Sequence, residues 1–275
     1  MKKKNRNTFS PVPAVPRIPH FDLICCCGKG GTGEVWEGRD HNGQRCAVRL
    51  VPRKAGLNQK TALQEFRNIQ FYRKYAGCHR NLAEIVRQGR TKHYFYYIFL
   101  LADNVSSDPA CYVPDTLARR LAENRISLSD IPRLMLQIVH ALDHLHSRGV
   151  AHLDLKPENI FFHDGVLKIA DPGLAGESEK IYQEYDGTPE YMPRGPCNGI
   201  IRDLYAAGKV LYCLYSGNPV TDFPVLSPHT DMDDIRIFNE IALKCCSPSI
   251  RYSYQSAEEL KAELTEKFPL EVPAY

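Results

Sequence analysis

Two carboxylates, an amide and an amine crowd into one short region: Asp154, Lys156 and Asn159 in His152-Leu153-Asp154-Leu155-Lys156-Pro157-Glu158-Asn159, then Asp171 in Asp171-Pro172-Gly173. The residues between them fix the geometry. Ile160–His163 and Val166–Ile169 flank Asp164-Gly165, a strong two-residue turn signal, so 163 faces 166 and 160 faces 169. Extending that register sets Asn159 opposite Ala170 and beside Asp171, within about 5–8 Å at the open end of the hairpin. An amide oxygen and a carboxylate so placed can grip a hard cation such as Mg²⁺. Asp154, five residues before Asn159, reaches the same end as a free carboxylate, and Lys156 adds a cation for a phosphoryl group in transfer.

A second constellation lies upstream, where Gly28-Lys29-Gly30-Gly31-Thr32-Gly33 fits the spacing GxGxxG. With glycine near its average frequency of about 7%, chance supplies that spacing roughly 0.07 times in a chain this long. The next five residues are more informative than the glycines. Glu34-Val35-Trp36-Glu37-Gly38 reads as a strand, whereas a dinucleotide site would open a helix there. The glycines therefore form a hairpin tip, whose bare amides can cover phosphates or serve only as a flexible turn. Lys29 is either a phosphate contact or a solvated turn lysine, and Cys27 either a redox-sensitive thiol or a small hydrophobe in a strand.

The elements that carry these residues change character along the chain. Phe21–Cys27, Glu34–Glu37 and Gln44–Val51 read as strands of an antiparallel meander, with turns at Gly28–Gly33 and Asn42-Gly43. A helix is expected from about Asn58 to Tyr75, with Leu63, Phe66, Ile69 and Tyr72 at helical spacing and Gly77 past its end. Tyr94–Leu101 reads as a buried strand. Beyond about Asn104, Asp115–Glu123 and Ile131–Arg148 look helical, the second with Ser129 as cap, Pro132 in its first turn and Gly149 as stop. A strand-rich stretch to about Ile169, a loop to about Ile201 and further helices complete the chain. A small sheet followed by a helical body implies two lobes with a cleft between them.

Composition bounds the rest. The chain has 275 residues, 43% hydrophobic and 24% charged, so a large core can be buried. Its formal net charge is +3, but Lys2, Lys3, Lys4, Arg6 and Arg17 lie in the first twenty residues, which hold no acid, so the remainder is slightly acidic and offers no nucleic-acid-sized basic face. Residues 1–20, with Pro11, Pro13, Pro16 and Pro19, read as a flexible basic arm. The longest apolar run, Tyr94 to Ala102, is less than half of the ~20 residues a membrane helix needs, so no span is expected. The 10 cysteines include contiguous Cys25-Cys26-Cys27 and Cys245-Cys246 and no CxxC pair, which favours reduced thiols in a cytoplasmic protein. His140 and His144 are four apart but lack the intervening Glu of HExxH, and read as a solvated helix flank.

On these residues the chain resembles the eukaryotic-like (Hanks-type) serine/threonine protein kinases, from about Phe21 to Phe268. The H-x-D-L-K-P-E-N loop carries the resemblance most strongly; the glycine-rich hairpin precedes it, and Gly187-Thr188-Pro189-Glu190-Tyr191-Met192 resembles the family's substrate-side loop. The resemblance implies an α+β fold of two lobes within residues 21–275, a small antiparallel-sheet lobe over about 21–103 and a mainly helical lobe over about 104–275. It implies that Asp154 accepts the proton of a protein Ser/Thr hydroxyl, Lys156 steadies the γ-phosphate, and Asn159 and Asp171 hold Mg²⁺ on ATP. The nucleotide would meet Cys27, Gly28, Lys29, Gly30, Gly31, Thr32, Gly33, Val35, Ala47, Arg49, Leu101 and Asp103, with Leu100 as gatekeeper. Asp203 and Arg251 fall where the family has structural residues. Ser178, Tyr182, Tyr185 and Thr188 are candidate phosphoacceptors.

Several positions depart from the family. Arg49 stands where a phosphate-binding Lys is usual, and a planar guanidinium does not fit as a compact ammonium does. Alignment puts Asn68 where a Glu partner should be, with Glu65 one turn earlier as the alternative. Leu153 replaces the Arg beside the catalytic Asp, so loop phosphorylation is not expected to be the switch. Pro172 replaces Phe and should bias Asp171 towards extended backbone. Met192-Pro193-Arg194-Gly195 lacks the carboxylate that would pair with Arg251. Three functions are weighed: a protein kinase, weakened where positioning groups are replaced; a pseudokinase that binds nucleotide or a partner; and a small-molecule phosphotransferase, against which Lys156 and Gly187-Thr188-Pro189-Glu190-Tyr191 argue.

Overall fold

The structure, a computed structural model, describes residues 15–30, 33–53, 57–108, 111–183, 187–225 and 233–269. Gly31, Thr32, Tyr185 and the arm up to residue 14 lie outside them. Strands β1 (Phe21–Lys29), β2 (Glu34–Asp40) and β3 (Arg45–Pro52) make the antiparallel meander. Helix α1 (Leu57–Tyr75) comes next, and Gly77 takes the left-handed backbone (φ 67°) that glycine adopts without strain past a helix end. Strands β4 (Ile85–Arg90) and β5 (Tyr94–Phe99) complete a sheet of order β1-β2-β3-β5-β4. Nothing in the sequence announces β4, because Ile85-Val86-Arg87-Gln88-Gly89-Arg90 has no apolar alternation and its pairing shifts between Ile85 and Arg87.

Alternation along β3 and β5 sorts the two faces of the sheet. Ala47, Val51, Phe95, Tyr97 and Phe99 join α1 in the main core, whereas Val48, Leu50, Tyr96 and Ile98 pack with Ile18 and Trp36 on the other face. The chain then turns helical, with α2 (Leu117–Ala122) and α3 (Ile131–His146). Along α3, Ile131, Leu134, Met135, Ile138, Leu142 and Leu145 recur every three or four residues and are all buried, each worth about 1.5–3 kcal/mol of transfer from water. Pro132 lies in its first turn. Ser129 does not cap it: Asp130 precedes the first helical residue, and the Ser129 hydroxyl pairs with that of Ser127 at 2.8 Å.

Strand β6 (Val150–Ala151) leads into β7 (Ile160–His163) and β8 (Val166–Ile169), which pair 160 with 169 and 163 with 166 as the turn signal requires. Strand β9 (Gly176–Glu177) pairs with β6, and β10 (Ile181–Tyr182) with β11 (Cys197–Asn198). Helix α4 (Gly199–Ser216) is capped by Asn198, whose Oδ1 accepts from Ile201 N at 2.9 Å, and is buried on nearly every side. Helices α5 (Asp233–Cys245) and α6 (Ala257–Lys267) close the described body. This is a two-lobed α+β architecture: a small antiparallel sheet with one helix, then a mainly helical lobe.

One more expectation changes. His144 is half-buried rather than solvated, its Nε2 2.7 Å from Ala76 O and its ring 4.8 Å from that of His79. All ten cysteines are free thiols. Among the described residues no helix is long and apolar enough to cross a membrane.

Candidate active site

The 152–159 loop is held from below by α4. Asp203, fully buried, accepts from the backbone N–H of His152 and of Leu153 at 2.8 Å each and lies 2.9 Å from His146 Nε2. Burial pushes its carboxyl up, but the bond from His146 and the other donors outweigh it and hold the group below its ordinary value. His152 is also buried and reaches Ala170 O at 2.9 Å through Nε2. Leu153, at φ 67°, is bent into the left-handed region that a branched residue avoids, which turns Asp154 outward. The Asp154 side chain is 14% exposed at the floor of the cleft.

Three neighbours hold that carboxylate. Lys156 Nζ donates to Oδ2 at 2.9 Å, Asn159 Nδ2 donates to Oδ2 at 2.9 Å, and the Thr188 hydroxyl donates to Oδ1 at 2.8 Å. Lys156 Nζ also donates to Thr188 Oγ1 at 2.7 Å, closing a ring of charge-assisted bonds. Thr188 is thus engaged at Asp154 rather than displayed as a phosphoacceptor. Ser178 is buried, and the Tyr182 hydroxyl donates to Glu177 O at 3.0 Å.

Asn159 and Asp171 come together as the hairpin register requires, with Ala170 N donating to Asn159 O at 2.8 Å. Asp171 is not extended: its φ and ψ are 58° and 59°. Aspartate tolerates that region better than most residues, and the ion pair to Arg49 holds it there against the bias of the following proline. Arg49 Nη1 lies 3.1 Å from Asp171 Oδ2, and Arg49 Nε donates to Glu65 Oε1 at 3.0 Å. The partner on α1 is therefore Glu65. Asn68, on the same helix face, instead donates from Nδ2 to Gly173 O at 2.9 Å. Burial lowers the pKa of Arg49, but Asp171 and Glu65 outweigh it and keep the guanidinium charged. Gly173 lets these groups close up, since a Cβ there would come within 3.2 Å of Glu65 Cγ.

Above them opens a cleft of about 1190 Å³, lined by Cys27, Gly28, Lys29, Gly30, Val35, Ala47, Arg49 and Leu101 as well as by Asp154, Lys156, Asn159 and Asp171. Gly33 packs against β3, where a Cβ would collide with the Leu50 carbonyl. Lys29 is exposed and paired with Glu34 at 3.0 Å across the hairpin. Burial, then Cys25, pushes the Cys27 thiol up to about 12, which favours the small-hydrophobe reading over a reactive thiolate.

Asp103 does not line the cleft. Its carboxylate accepts from Asp164 N at 2.9 Å and Gly165 N at 3.1 Å and its own N–H donates to Phe162 O, so it is spent on the β7–β8 turn. Phe99 and Leu100 both line the cleft, and Phe99 pairs with Ala47 across β3–β5 and shares the inner face with Tyr97. Leu153 is buried, and Arg194 and Arg251 are both exposed.

Known proteins resemble this chain over most of its length. A family model described as "Protein kinase domain" matches residues 21–267. The chain is 24% identical over 292 aligned positions to a calcium/calmodulin-dependent protein kinase type 1 of Caenorhabditis briggsae, covering 93% of this chain and 76% of that protein. It is 28% identical over 215 positions to CBL-interacting serine/threonine-protein kinase 3 of Arabidopsis thaliana, covering 73% of this chain and 46% of that one. Over 103 positions, 36% of this chain and 21% of the relative, it is 35% identical to a Wee1-like protein kinase of Arabidopsis thaliana. The chain thus spans about three quarters of the first relative and less than half of the second. The family match begins where β1 begins and ends where α6 ends, and on that extent this chain belongs to the protein kinase domain family.

Proposed function

We propose that this chain is an ATP-dependent serine/threonine protein kinase that transfers the γ-phosphoryl group to a hydroxyl of a protein substrate. The observation that supports it most is the ring of Lys156, Thr188 and Asn159 around the Asp154 carboxylate. Asp154 takes the proton of the attacking hydroxyl as its oxygen bonds to phosphorus and the bond to the leaving ADP oxygen breaks. Lys156, which lines the cleft beside Asp154, offsets charge on the group in transfer.

The oxygens fit Mg²⁺. Asn159 spends its amide nitrogen on Asp154, which leaves its oxygen for a cation beside the Asp171 carboxylate. Among the described residues no three His, Cys, Asp or Glu side chains form a metal cage, so the ion would take its other ligands from phosphates and water, as Mg²⁺ does. When bound, Mg²⁺ supplies charge neutralisation and orientation of the phosphates. Ten free thiols are in keeping with a cytoplasmic location.

One observation favours the second function, a nucleotide- or partner-binding scaffold: Arg49 occupies Asp171, the carboxylate that Mg²⁺ would need. The test is incubation of the full chain with Mg·ATP labelled in the γ-phosphate and a generic protein substrate. Label on serine and threonine, lost in Asp154→Asn, is expected. No label on any protein, with nucleotide still bound, would favour the scaffold.

A further inference from the structure

Phe95, Tyr97 and Phe99 present one face of β5 to the main core, and the middle one alone carries a hydroxyl. Tyr97 stands directly across from Arg49 in the β3–β5 register, so both side chains leave the sheet on the same face. The residue is fully buried, and its hydroxyl has no hydrogen-bond partner among the described residues. A phenol in that place is costlier than the phenylalanine on either side of it unless another state of the site uses it. Burial first, then Glu65, raises the phenol above its ordinary range, so it stays neutral and can accept an N–H.

Arg49 meanwhile holds Asp171 through Nη1 at 3.1 Å while Nε holds Glu65 at 3.0 Å. We propose that Tyr97 is the alternate acceptor for Arg49: when Asp171 takes the metal of Mg·ATP, the guanidinium keeps Glu65 and moves an N–H from Asp171 to the Tyr97 hydroxyl. This relay rests on the nucleotide-binding part of the function proposed above. It answers the conflict at Asp171 with groups already in place, and it makes Tyr97 a positioning residue acting through Arg49. A lysine at 49 has its three donors on one nitrogen, without the separate arms by which the guanidinium holds Glu65 through Nε while Nη1 changes partner.

The test measures ATP affinity calorimetrically, with saturating Mg²⁺ and with a chelator, for wild type, Tyr97→Phe, Arg49→Lys and the double variant, together with the melting temperature of each ligand-free protein. Tyr97→Phe is expected to weaken Mg·ATP binding about tenfold, the order of one hydrogen bond to a charged group. Its metal-free ATP affinity should stay within about twofold, as should the effect of the same change in the Arg49→Lys background. Its melting temperature should not fall, because the hydroxyl removed had no partner. An unchanged Mg·ATP affinity, an equal loss with and without metal, an equal loss in the Arg49→Lys background, or a lower melting temperature overturns the relay. Wild type that binds ATP under neither condition overturns the nucleotide-binding proposal, and the relay with it.

Discussion

Arg49 shares its charge between two acids, and the set Arg49, Glu65 and Asp171 carries one net negative charge in a largely buried place, which an added cation would neutralise. Removing Glu65 leaves the neutral Arg49–Asp171 pair but strips a charge-assisted hydrogen bond, worth about 1.5–3 kcal/mol, whereas a single neutral hydrogen bond is worth about 1 kcal/mol. Glu65→Ala should therefore lower stability to urea by about 2 kcal/mol, and Asn68→Ala by only about 1 kcal/mol. The opposite order would return the partner role to Asn68. Spacing alone could not choose between them, since positions three apart lie on one helix face. Asp171, left-handed before a proline, is the other residue whose state was not legible: φ/ψ preference pointed to extended backbone, and a contact 122 residues away in sequence holds it otherwise.

At the scale of elements, α4 serves as the anchor of the catalytic loop. One carboxylate satisfies two backbone N–H groups and His146, so Asp203→Ala leaves all three without their acceptor and should cost at least about 3 kcal/mol, with loss of transfer. The lowered carboxyl sets the sign of the pH effect. A depressed folded-state value contributes stability that is full above the unfolded carboxylate's ~4 and drains away as pH falls below it. Urea midpoints of wild type and Asp203→Asn should accordingly converge as pH drops below about 4, and a gap that widens there would contradict the assignment. The β7–β8 hairpin was legible to the residue because its two-residue turn fixes the register. Phe99 was legible in principle too, from the alternation Phe95, Tyr97, Phe99, while β4 carried no such signal.

Across the whole molecule, the sheet brings Arg49 and the glycine-rich hairpin to one wall of the cleft, α1 brings Glu65, and the helical lobe brings the oxygens. Thr188 returns from 34 residues beyond Asp154 to lock that carboxylate, a contact that no local pattern could foretell. Leu153 is buried, and Arg194 and Arg251 are two exposed cations that cannot pair with each other, so these positions do not supply the arginine and the ion pair that the resemblance implies there. Asp154, Lys156, Asn159 and Asp171, to which the proposed function gives the transfer, line one cleft with Arg49. Steady-state transfer by wild type, Arg49→Lys and Arg49→Met at saturating Mg·ATP tests this most directly. A working wild type whose kcat falls at least about tenfold in Arg49→Met is expected; a silent wild type that Arg49→Lys switches on would overturn the role given to Arg49.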